Sequence, residues 1–156
     1  MKLKKVAAFL TEEGKPYLKE EVTKYMFDNR RKFNHPECIA DFARELDIAS
    51  YAFECVYAFF LDQADHILSF AEISKGGIRS TCLPVREIVQ AALLTGACNV
   101  IILHNHPSGD LTPSREDIEG TARLKSALQI CDLVLLDHII ISRHGYLSMQ
   151  RCDLIT

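Results

Sequence analysis

The chain of 156 residues lacks a Cys-x-x-Cys pair, an internal repeat and any apolar stretch of membrane-spanning length. Each absence excludes something. The longest apolar runs, such as Val100 to Leu103 and Leu133 to Leu136, fall far short of the roughly 20 residues needed to cross a bilayer. Glycine and proline are sparse, at 7 and 5 residues, which excludes collagen-like and low-complexity classes. Met1-Lys-Leu-Lys-Lys5 is spelled like the start of a signal peptide. Thr11, Glu12 and Glu13 then interrupt the apolar stretch, and no small-residue cleavage site follows, so the expected address is the cytoplasm. The six cysteines (Cys38, Cys55, Cys82, Cys98, Cys131, Cys152) are scattered, several within apolar segments, which predicts reduced, buried thiols packed as small hydrophobes.

What is present is the composition of a globular protein: 48% hydrophobic and 25% charged residues at 17.6 kDa. That length favours one hydrophobic core with at most a small appendage. The net charge of -3 is unevenly spread, with nine Lys/Arg against five acids in residues 1–32 and nine against sixteen in the rest. Residues 1–50 are therefore read as a basic leader and 51–156 as the main domain. The leader offers a weak contact to DNA or an acidic partner, with a solvated face as the plainer alternative, whereas the body repels phosphate on average.

Apolar and charged positions at helix-like spacing over residues 3–10 and 17–27, with Gly14 and Pro16 between, predict a short helical leader. Asn34-His35-Pro36 breaks the chain before a helix over Pro36 to Leu46. Residues 54–61 and 66–73 are apolar-rich around the polar turn 62–65, which predicts a hairpin of central strands ended by Gly76-Gly77. A helix follows Pro84 and is capped by Gly96; Val100 to His104 is a short strand buried on both faces. After the polar loop 108–113 comes a helix over Arg115 to Gln129, then strands over Val134 to Ser142 and Tyr146 to Met149 around His144-Gly145. The expected fold is α/β (α+β), a three-layer sandwich on a mixed sheet.

Chemistry concentrates in His104-Asn-His106-Pro-Ser-Gly-Asp-Leu-Thr-Pro-Ser114-Arg-Glu-Asp117. On a strand, His104 and His106 point the same way and can converge on one ion. A short loop can fold the start of the next helix back so that Asp117 reaches the same point. Three N/O ligands with a fourth place for water is the coordination of a catalytic rather than a structural zinc. Hydrolysis also needs a base and an oxyanion donor. Ser114, three residues before Asp117, is the candidate donor. Glu54, heading an otherwise apolar strand in a low-dielectric wall, is the candidate base. Taken alone, Ser114-x-x-Asp117 reads as a helix capping pattern, and the histidines as surface residues. Asp137-His138 lies in an apolar strand and reads first as a hydrogen-bonded core pair, with support of the metal ligands as the other option. Asn105 faces away from its neighbours and is expected to secure the loop, and Arg86 and Glu87 open a helix. No role is assigned to His35, His66 or His144. A deaminase is excluded for want of Pro-Cys-x-x-Cys, and His104-Asn-His106 is not an HNH nuclease motif.

From about Phe53 to Met149 the sequence resembles the RadC-type branch of the JAMM (MPN+) metalloprotease superfamily, whose fold also resembles the cytidine deaminases. The resemblance is carried by His104-x-His106, seven residues, Ser114-x-x-Asp117, and by Pro84-Val-Arg86-Glu87-Ile, Thr121, Leu124 and Leu136-Asp-His138-Ile-Ile-Ile. It implies zinc, one per chain, on His104, His106 and Asp117, with Glu54 activating water and Ser114 stabilising the oxyanion. It hints that Arg86 lines the cleft. The implied substrate is a protein or peptide, cut at a peptide, isopeptide or related amide bond, with no membrane partner. The family name is linked to DNA repair, and many longer members carry an amino-terminal helix-hairpin-helix, for which this leader is too short. The alternative expectation is a DNA-associated accessory protein, of repair or mobile elements, with a structural or vestigial metal site.

Overall fold

The structure, a computed structural model, describes residues 2–11, 13, 15–26, 32, 33, 35–76 and 83–155. Gly14, Asn34, Gly77 and Cys82 lie outside the described residues. The elements are β1 (Lys2–Leu10), β2 (Pro16–Met26), α1 (Pro36–Glu45), β3 (Cys55–Leu61), β4 (Ile67–Lys75), α2 (Val85–Thr95), β5 (Asn99–Asn105), α3 (Arg115–Ile130), β6 (Val134–Ser142) and β7 (Gly145–Ser148), with a short 3-10 turn at Ile48–Ser50. Among the described residues seven strands form one sheet in the order β2-β1-β4-β3-β5-β6-β7. It is mixed, because β1 runs parallel to β4 and β5 parallel to β6 while the other neighbours are antiparallel.

Alternation along the strands divides the core between the two faces of this sheet. Ile101 and Leu103 of β5 join Phe33, Ile39, Phe42, Phe59 and Phe70 on the face covered by α1. Phe42 meets Phe59 and Phe70 edge-on, each at 5.4 Å between ring centres. Val100 and Ile102 turn the other way, to Ile88 and Ala92 of α2 and Leu124 and Leu128 of α3. The result is the expected three-layer sandwich: α1, the sheet, then α2 with α3.

The leader corrects the sequence reading. Residues 3–10 and 17–26 do not form helices, and Phe27 lies outside the described residues; β1 and β2 pair antiparallel from Lys4 with Val22 to Leu10 with Pro16. Thr11 closes the turn, its N–H donating to the Lys15 carbonyl and its Oγ1 accepting from the Lys15 N–H. Tertiary context overrides local propensity here. Val6 is buried in the cluster beneath α2 and α3, and Lys5 pairs with Phe70 of β4, so the hairpin extends the sheet. The cysteine reading also needs amendment. The five described thiols are free, but only Cys55 is buried, and Cys98 and Cys152 are exposed because they sit in connections. Among the described residues no helix is long and apolar enough to cross a membrane.

Candidate metal centre

The carboxyl end of β5 meets the start of α3 at the site. Parallel strands joined through a helix open a crevice at their carboxyl ends, and here β5 passes through α3 to β6. His104 is the last but one residue of β5. His106 follows the strand and is pinned by its own N–H, which donates to the Ile141 carbonyl of β6 at 2.9 Å. Gly109, at φ +88°, then turns the chain back toward His106. That positive φ is cheap only for glycine.

Helix α3 begins with a capping box. Ser114 Oγ accepts from the Asp117 N–H at 3.1 Å, while Asp117 Oδ2 accepts from the Ser114 N–H at 2.8 Å and from its hydroxyl at 2.6 Å. The capping reading of Ser114-x-x-Asp117 is therefore right, and it does not compete with the other one. The same carboxylate lies 3.4 Å from His104 Nε2 through Oδ1 and 3.6 Å from His106 Nε2 through Oδ2. The two Nε2 atoms are 2.8 Å apart.

These separations test the fit to a metal. Ligands about 2.1 Å from a tetrahedral zinc lie roughly 3.4 Å from one another, and all three donor atoms here fall within 4.8 Å. His106 Nδ1 is 2.7 Å from the Asp110 carbonyl, which can only accept, so Nδ1 carries a hydrogen and Nε2 is the atom turned to the cluster. The donor set of two imidazoles and a carboxylate is one that zinc takes.

Electrostatics reflect the crowding. Burial drives the His104 imidazole down to about 4 against the pull of Asp117, favouring the neutral ring that a ligand requires. The neighbouring Asp117 carboxylate is the largest influence on His106 and raises it despite partial burial. Burial pushes the Asp117 carboxyl up, but His106, His104 and Ser114 together hold it well below the usual carboxylate range.

The cluster forms one wall of an open cavity of about 300 Å³. The pairing of Val56 with His104 carries Glu54 to the level of His106, and Glu54 lines the cavity with Ser114, Asp110 and Glu116. Its side chain is exposed at the mouth rather than embedded in a low-dielectric wall. Four of the described lining residues are acidic and none is Lys or Arg. Arg86 is exposed on the first turn of α2 and is not among them. Asn105 faces the other way, as expected, and ties down the chain around Glu54.

Two residues behind the site were read from sequence as a hydrogen-bonded core pair or as support for the metal ligands. Asp137 and His138 are both buried and share a hydrogen bond through the His138 N–H, but their side chains face opposite layers, as consecutive residues of β6 do. Asp137 accepts from the His138 and Gln150 N–H groups and the Ser148 hydroxyl, and burial still raises its carboxyl. His138 is fully buried on the α3 side, its Nε2 2.7 Å from His104 Nδ1 and its Nδ1 2.6 Å from Thr121 Oγ1. A polar pair, Thr121 four residues after Asp117 on α3 and His138 on an apolar strand, was the available signal. Only the β5–β6 register joins it to His104.

The family model described as RadC-like JAB domain matches residues 33–154. A UPF0758 protein of Syntrophomonas wolfei is 38% identical over 129 residues, covering 81% of this chain and 55% of that protein. One from Finegoldia magna is 41% identical over 119 residues, covering 76% and 52%. The chain thus spans about half the length of these curated relatives. With a match over most of its length, and with the mixed three-layer fold and convergent His-His-Asp group inside the matched region, this chain belongs to the RadC-like JAB domain family.

Proposed function

We propose that the chain is a zinc-dependent hydrolase of the JAMM type, acting on a peptide, isopeptide or related amide bond. The observation that supports it most is the convergence of His104 Nε2, His106 Nε2 and an Asp117 carboxylate oxygen on one point at a cavity wall. A zinc ion held there would supply a Lewis acid, polarising a carbonyl and lowering the pKa of water toward neutrality.

The chain's own groups divide the remaining work. Glu54, at the cavity mouth on the level of His106, takes the proton from the attacking water and passes it to the leaving amine. Ser114 stabilises the developing oxyanion through its hydroxyl. That hydroxyl now donates to Asp117 Oδ2, so it must turn toward the cavity to do so. The acidic lining disfavours a phosphate-rich substrate and suits a polypeptide.

Elemental analysis of purified protein should give one zinc per chain, lost in His104→Ala and Asp117→Ala. Glu54→Gln should keep zinc and abolish cleavage of amide substrates. Failure of the wild type to take up zinc at micromolar concentration would overturn the reading.

A further inference from the structure

Behind His104 the hydrogen bonds run in one direction only. Thr121 Oγ1 and the Asp117 carbonyl oxygen are 2.6 Å apart. Two oxygens that close require a hydrogen between them, and the carbonyl has none to give, so the Thr121 hydroxyl donates. Its single hydrogen is then committed. His138 Nδ1, 2.6 Å from the same oxygen, must therefore carry a hydrogen and donate it. The fully buried ring has no carboxylate bonded to either nitrogen and stays neutral, leaving Nε2 bare. His104 Nδ1, 2.7 Å from that bare nitrogen, must supply the next hydrogen. A neutral imidazole carrying hydrogen on Nδ1 has its lone pair on Nε2, the atom that faces Asp117 and His106.

We propose that His138 and Thr121 are positioning residues that fix the Nδ1–H tautomer and the ring orientation of His104, so that its Nε2 lone pair is permanently presented to a metal. The proposal rests on the reading of the His-His-Asp cluster as a metal site. The relay starts at the backbone carbonyl of Asp117, whose carboxylate also faces His104. Strand β5, strand β6 and the first turns of α3 are thereby locked into one closed ring of polar contacts, and the aim of His104 is set by the domain core rather than by the surface loop.

The test uses the full chain. Long-range nitrogen–proton correlation spectra of the chelator-treated protein should show His104 and His138 both protonated on Nδ1 and bare on Nε2. The opposite tautomer on either ring overturns the proposal. Zinc affinity, read by competition with a chromophoric chelator, should fall about 10–100-fold in His138→Leu. It should fall less in Thr121→Val, and stay near wild type in His138→Gln, whose amide can accept from His104 and donate to Thr121. Equal affinity in His138→Leu and wild type overturns the relay while leaving the metal site standing. A wild type that binds no zinc overturns the metal site instead, and the spectra still decide the tautomers. If His138→Leu does not fold, Thr121→Val and the spectra carry the decision.

Discussion

Asn105 grips the backbone on both sides of Glu54. Its Oδ1 accepts from the Cys55 N–H at 2.7 Å and its Nδ2 donates to the Phe53 carbonyl at 3.0 Å. The amide is fully buried, so its bonds are not exchanged with water. Replacing Asn105 with Ala strands a buried N–H and should cost about 1–3 kcal/mol in denaturant unfolding. It should also lower hydrolysis with zinc content unchanged. Loss of zinc in that variant would show that Asn105 supports the histidines rather than Glu54.

Ser114 has two duties that one variant separates. Ser114→Ala removes the cap from α3, at a cost of about 1 kcal/mol. If its hydroxyl also stabilises the oxyanion, kcat should fall about 10²–10³-fold at unchanged zinc content. A variant with the stability loss and full turnover would leave Ser114 as a helix cap alone.

Glu37 gives acid sensitivity far from the cavity. Its carboxylate accepts from Arg151 at 2.6 and 3.0 Å and from the Tyr146 hydroxyl at 2.8 Å, tying α1 to the carboxyl-terminal turns. The Arg151 bond leads in holding this carboxyl at about 2 instead of 4.5. A depressed carboxyl stabilises the fold above its unfolded value. That contribution is complete above about pH 4.5 and is lost as pH falls toward 2. Thermal midpoints followed over this window should fall less steeply for Glu37→Gln. The pair is exposed, so the difference should shrink in high salt.

Phe42 joins α1 to the sheet. Truncation to Ala empties the space against the stacked Phe59 and Phe70 rings and should cost about 3–5 kcal/mol by chemical denaturation. A much smaller loss would mean that α1 collapses onto the sheet to refill it.

Sequence legibility followed locality. The period of two along β5 was enough to set His104 and His106 on one face, and a loop too short to wander brought Asp117 back to them. The central hairpin and three helices carried their own turn and capping signals. The leader did not. Lysine, leucine and glutamate in β1 and β2 suit a helix as well as a strand, and the deciding partner, β4, lies some sixty residues away in β1's pairing of Lys5 with Phe70. The His104–His138 contact was hidden for a related reason. The β5–β6 pairing shifts register between Val100 and Ile101, and that shift sets which residue of β6 sits behind His104. Exposure of Glu54 was equally beyond reach, because it depends on what the neighbouring loops leave uncovered.

The double employment of Asp117 bears on how relics of this site should be recognised. A descendant that had abandoned the proposed hydrolysis would still benefit from Ser114-x-x-Asp117, since the helix keeps needing its cap. The imidazoles take no part in that cap. In a drifting lineage the serine and aspartate would outlast the proposed chemistry, so their survival alone would be a poor diagnostic of it.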